Sequence, residues 1–405
     1  MTVLELPETL INIFSVLKGQ GDSPSLLAVV RVNRQWFECG ISVLWRDASC
    51  EALAAVSDEA RRQLYASKIE MLDFSGDKES ALHEKFRGLA FSNLREVSLD
   101  SYHPKMGKEY YMRQYFSPAL RAFSFYGGDL DDQLLNSLRE HSWRLRRLLI
   151  DNPGDKVSPE GFLQFISEYG SLQEMIFVCG MEKLLSDDML VHLAGRPDLT
   201  HISAGRLWPP TVYERILETV DKPFSSITTF RLHINASEMP LLTSFVPRIK
   251  HLDLQLHDLK RLELGCLSTL SKLQSLSLTF SDPFELSVTQ LMSLAELGTL
   301  ESLALQDAEG GLSAAISDAD FELLTSKLPK LENLVFMAQS NLSSACVLTL
   351  AKHCKFLESC EMPHMFDFER LDLASRSLPL FPKLERLSLG GLLQTTVGEG
   401  EAAIQ

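Results

Sequence analysis

The sequence predicts an α/β solenoid, a curved stack of strand-helix units of the horseshoe type, preceded by a small all-α module. Three observations carry that reading. An apolar-x-x-apolar-x-apolar hexad recurs thirteen times, from Ile69/Leu72/Phe74 to Leu384/Leu387/Leu389, in steps of 22 to 31 residues. Helix-start chemistry lies between the hexads. The residues ahead of the first hexad show helical spacing and no such period.

The amino-terminal module comes first in the chain. Leu6, Leu10, Ile13/Phe14 and Leu17 fall at helical spacing, and Pro7 suits a first turn, which predicts a helix over about 7–17. GQGDSP is turn chemistry, with Ser23 as the expected N-cap and Pro24 as the first position of a second helix carrying Leu26, Leu27 and Val30. A third helix is expected from about Asn33, carrying Trp36/Phe37 and Ile41 and closing at Leu44-Trp45-Arg46. Leu10, Leu27, Val30 and Trp36 are the expected core. Residues 1–47 thus form one helical module, and the Ala-rich residues 48–67 a helical bridge.

Residues 68–393 hold the repeats. The last two apolar positions of each hexad alternate with polar ones, the period of a short strand with one buried face. Between them, Ser158-Pro159-Glu160, Ser186-Asp187-Asp188 and a Thr211 to Glu214 capping box mark helix starts. A mean step of about 26 residues lies within the range of ~20 to 29 seen for leucine-rich repeats. The chain resembles that family. The resemblance is incomplete, because among the turn positions where the family places Asn or Cys only Asn235 fits. Residues 394–405 are small and polar and are expected to be disordered.

In the module, the Leu6-Pro7 start, Ile13-Phe14, Leu26-Leu27, Val32 with Arg34 and Trp36, and the closing Leu44-Trp45-Arg46 resemble the F-box family in order and chemistry. That resemblance implies that Leu6, Pro7, Ile13, Phe14, Val32, Leu44 and Trp45 contribute to a surface for the S-phase kinase-associated adaptor. Through that adaptor the chain would join a cullin-RING ubiquitin ligase as its substrate receptor.

Composition narrows the partners. Among 405 residues, 54 Asp and Glu outweigh 39 Lys and Arg, a formal net charge of -15 that repels phosphate backbones and anionic lipid. No apolar run approaches the ~20 residues that span a bilayer. The first residues carry no basic-then-apolar leader, and the seven cysteines form no Cys-x-x-Cys pair. The expectation is a protein of the cytoplasm or nucleus that binds neither nucleic acid nor membrane.

No nucleotide, metalloprotease or hydrolase motif is present, so neither an enzyme nor a cofactor is expected. His353, Cys354, Cys360 and His364 match no common zinc spacing. Strand alternation instead places Tyr126, Arg147, Asp151, His201, Arg231, His233, His251 and Asp253 on the concave face, where a target protein would bind. Arg147, Arg231 and the histidines suggest an anionic segment as the ligand. Charge is uneven, with a net +3 over 101–150 and -8 over 282–332. Two other readings remain open. One is a plain interaction scaffold whose first helices only cap the stack; the other is a small-GTPase regulator, since the repeats distantly resemble Ran GTPase-activating proteins.

Overall fold

The structure, a computed structural model, describes residues 6–75, 79–103, 111–366 and 380–392. The expected disordered tail, 394–405, lies outside the described residues. The chain groups into two compact units, Met1–Met189 and Leu190–Gln405.

The first unit opens with α1 (Pro7–Gly19), α2 (Ser23–Val29) and α3 (Arg34–Leu44). Pro7 sits in the first turn of α1, and the Asn33 side chain caps α3 by accepting the Trp36 N–H at 2.9 Å. Asp22, not Ser23, caps α2. Its carboxylate accepts the Ser25 N–H at 3.1 Å, so Ser23 and Pro24 are already inside the helix. Leu10, Phe14, Leu26, Cys39 and Val43 form the core, with Leu17, Trp36 and Leu44 packed against it. Gly40 permits this approach, because a Cβ there would meet Val30 Cγ1 at 2.7 Å. Lys18 latches the module by donating to the Val43 and Leu44 carbonyls at the end of α3 and pairing with Asp47.

The bridge holds two helices, α4 (Cys50–Ala55) and α5 (Glu59–Ala66). Val56 leaves the helical region and Asp58 caps a new helix through the Arg61 N–H, so cap chemistry overrides the Ala-rich composition.

Five parallel strands follow in chain order: β1 (Met71–Asp73), β2 (Glu96–Tyr102), β3 (Ala122–Gly128), β4 (Arg147–Asp151) and β5 (Glu174–Phe177). Their register aligns Leu72, Val97, Phe123, Leu148 and Met175, the middle residues of successive hexads, in one buried column. The backbone at the leading edge follows a repeated rule. Each carbonyl accepts two N–H groups from the next repeat: Glu70 and Met71 donate to Arg46, Arg95 and Glu96 to Glu70, Arg121 and Ala122 to Arg95, Arg146 and Arg147 to Arg121. The module's final residues therefore serve as the first rung. The helices α6 (Glu79–Lys85), α7 (Asp132–His141) and α8 (Pro159–Glu168) lie between strands. Ser158 caps α8 as the sequence predicts, and its hydroxyl also donates to Asp132 in the preceding repeat at 2.8 Å. The Ser186 start is likewise present, its hydroxyl accepting the Met189 N–H of α9 (Asp187–Ala194).

The second unit holds eight ladder strands: β6 (His201–Leu207), β7 (Thr229–Asn235), β8 (His251–His257), β9 (Ser275–Phe280), β11 (Ser302–Asp307), β13 (Asn333–Phe336), β14 (Ser359–Phe366) and β15 (Arg386–Leu392). The hexad column continues through Ile202, Phe230, Leu252, Leu276, Leu303, Leu334, Cys360 and Leu387. All are buried except Leu387, which is 46% exposed on the last strand. Helices α10 (Pro210–Thr219), α11 (Met239–Phe245), α12 (Val288–Leu294), α13 (Asp318–Ser326) and α14 (Ala345–His353) complete the repeats. The Thr211 capping box does not form. Pro210 starts α10 two residues earlier than a Thr211 cap would and places Thr211 inside the helix. A feature absent from the sequence reading is a second, two-stranded parallel sheet of β10 (Phe284–Leu286) and β12 (Leu312–Ala314).

Candidate functional site

The helical module divides its apolar side chains between a core and an outer surface. Leu6, Pro7, Ile13 and Val32 stand exposed, Ile13 at 40% and Val32 at 58%. Phe14 does not join them. Only 1% accessible and 5.5 Å from the Trp36 ring, it fills the core, because it shares the face of α1 that carries Leu10. Leu44 is half-buried against that core, and Trp45, also half-buried, stacks on Tyr65 of α5 with centroids 4.2 Å apart. Two exposed residues were missed as surface members. Val16, three residues after Ile13, extends its face of α1, and Leu27, expected in the core, is 54% exposed while Leu26 takes the interior place. Neighbouring helical residues point about 100° apart, so only one of the Leu pair can face inward.

On the first unit's strands, Arg147 and Asp151 of β4 line an open hollow of about 700 Å³ together with Tyr126 of β3. Tyr126 lies in register between Asp100 and Asp151. Asp73 and Glu96 also line the hollow, so four carboxylates face one guanidinium there. Arg147 is itself 3.8 Å from Glu174 on the adjacent strand. The sign of this hollow suits a cationic group and opposes the anionic ligand expected around Arg147. The same face also carries Leu149 and Ile176, paired in register, which gives it an apolar floor.

His201, Arg231, His233, His251 and Asp253 belong to the second unit. Arg231 and Asp253 lie directly opposite on β7 and β8 and form a 2.6 Å ion pair, so that guanidinium already has its carboxylate. The three histidines do not converge. Thr229 stands in register between His201 and His251, leaving them two strands, about 10 Å, apart. His233 instead meets His257, a residue the sequence reading passed over, with ring centroids 5.6 Å apart. Burial, then the neighbouring His257, hold His233 below the usual imidazole range. Further along, His353 contacts Glu322 at 3.4 Å and His364 contacts Ser340 at 2.6 Å, while Cys360 occupies the hexad column.

No protein-family model matches the sequence, and neither does any curated protein. Among solved structures, the chain is similar to the leucine-rich repeat-containing protein LegL7 from Legionella pneumophila, at 13% identity over 73% of this chain and 89% of that one, TM-score 0.37. It is similar to a leucine-rich-repeat protein of Leptospira interrogans at 14% identity over 82% and 99%, TM-score 0.34. It is also similar to a chain of the yeast Rad7 and Elc1 complex at 12% identity over 95% and 93%, TM-score 0.49. The α/β solenoid itself rests on the strand ladder and intervening helices described above. Among the described residues, no helix is long and apolar enough to cross a membrane.

Proposed function

We propose that this chain is a non-catalytic substrate receptor. Its helical module docks the S-phase kinase-associated adaptor of a cullin-RING ubiquitin ligase, and its strand faces hold a target protein in the cytoplasm or nucleus. One observation carries the reading. The module fills its own core with Leu10, Phe14, Leu26, Cys39 and Val43, yet leaves Leu6, Ile13, Val16, Leu27 and Val32 outside. Apolar groups left outside a finished core mark an interaction face. The chain would then act by proximity, raising the local concentration of a target near the conjugating machinery.

The test is co-purification of the full chain with the adaptor, comparing wild type with an Ile13→Asp/Val32→Asp variant. Capture is expected for wild type and a loss of at least about tenfold for the variant, since each charge placed in an apolar contact costs more than 1 kcal/mol. A wild-type chain that ignores the adaptor would remove the ligase role.

A second reading, a scaffold whose first helices cap the ladder, is favoured by the Arg46 carbonyl, which accepts the first rung, and by the Trp45–Tyr65 stack. Capping uses one end of the module and leaves Ile13 and Val32 free. The same double variant therefore removes the docking face while leaving the capping contacts in place.

A further inference from the structure

The leading edge of the first unit's sheet carries a run of arginines. The carbonyls that pass the backbone bonds from repeat to repeat there belong to Arg46, Glu70, Arg95, Arg121 and Arg146, so the last three in succession are arginines. Hydrogen-bonded strands lie about 4.8 Å apart, so the three guanidinium-bearing residues start within about 10 Å of one another. Arg144, exposed, adds a fourth charge and lies 4.4 Å from the ring centroid of Trp143, which is 54% exposed. Arg95 has Glu70 at 4.0 Å, but among the described residues no carboxylate pairs with Arg121, Arg144 or Arg146. Arg121 is instead fixed by donating to the Pro118 and Leu120 carbonyls, and partial burial and the surrounding arginines lower its pKa.

Like charges one strand apart destabilise a sheet. The fold does not require arginine here, because the equivalent position in the second unit holds Glu301, Glu332, Glu358 and Glu385 in succession. A repulsive column in which, among the described residues, only Arg95 has a carboxylate partner, Glu70 at 4.0 Å, fits an external anion. We propose that the Arg95–Arg121–Arg146 column, with Arg144 beside it, docks an extended acidic segment of a partner protein.

An extended peptide with carboxylates on alternate residues places them about 7 Å apart on one side, within reach of successive guanidinium forks. One observation favours peptide over nucleic acid: Arg144 covers a face of Trp143 on which a base would stack. The inference goes beyond the adaptor reading and does not rest on it, because no residue of the helical module takes part.

The experiment uses the full chain and a fluorescein-labelled deca-glutamate peptide in low salt, read by anisotropy. Wild type should bind, and an Arg95→Glu/Arg146→Glu variant should bind about tenfold more weakly or worse, as expected when charge-assisted contacts become repulsive. An Arg95→Lys/Arg146→Lys variant keeps the charge and should stay within about threefold of wild type, losing only the fork geometry. Arg231→Ala, in the second unit, should leave binding unchanged. Three results would each overturn the proposal: no binding by wild type, equal losses for the Lys and Glu variants, or tighter binding of an oligothymidylate than of the peptide.

Discussion

Replacing Lys18 by Ala should unlatch the end of α3, and the size of the effect separates two contributions of the same ammonium group. Its 2.9 Å bond to the Val43 carbonyl is the better of two carbonyl contacts, the other being 3.4 Å to Leu44. A charged hydrogen bond is worth about 1.5–3 kcal/mol, and with the Lys18 side chain one-third exposed the lower end applies. The pair with Asp47, half-exposed, adds about 0.5 kcal/mol. Lys18→Ala is therefore expected to cost about 2 kcal/mol and Asp47→Asn about 0.5 kcal/mol. Hydrogen exchange at the α3 amides is the assay, since it reports local opening. Protection should fall by about thirtyfold for Lys18→Ala and about twofold for Asp47→Asn, at about 1.4 kcal/mol per factor of ten. Equal losses for the two variants would show that the ion pair, not the carbonyl cap, holds the helix end.

Other expectations follow from burial and charge. Leu148→Ala, in the fully buried hexad column, should cost about 3 kcal/mol, whereas Leu387→Ala on the exposed last strand should cost well under half of that, measured by denaturant unfolding. Burial holds His192, His233 and His364, all in the second unit, below the usual imidazole value. The unfolded chain therefore binds protons that the folded unit refuses. Its stability should be full above about pH 6.5 and fall as pH drops from there through the lowered values, a loss that exchange protection at pH 7.5 and 5.5 will show. Burial raises the Cys346 and Cys360 thiols to about 12 and Cys354 to about 11, so a thiol reagent at pH 7.5 should modify the exposed Cys179 quickly and leave those three untouched until unfolding.

The ladder was legible because its signal is redundant. Thirteen hexads each state the same register, and a one-residue slip would turn every apolar side chain outward. Cap residues were legible where one candidate stood alone, as at Ser158, and misread where two competed, as Asp22 with Ser23. The β10–β12 sheet was invisible because three-residue strands carry no measurable period. At the module, the sequence pattern listed inner and outer residues together. Ile13 and Phe14 are adjacent in sequence and a hundred degrees apart in space, so Phe14 belongs to the core and Ile13 to the surface. On the strand faces, alternation gave no sign that Arg231 is paired with Asp253 or that His233 meets His257. Those are cross-strand relations, fixed by register rather than by either strand alone.

The Arg46 carbonyl has a further meaning in time. Residues leave the ribosome in order, and the helical module is complete before Met71 emerges. A first strand emerging onto a folded module would find its acceptor already in place, and each finished rung in the first unit would present the next carbonyl to the segment still being made. Growth from a template of this kind spares each repeat the search for a partner among later ones. It also means that a chain interrupted during synthesis would end in an open, pairing-competent edge, the species on which chaperones would be expected to act.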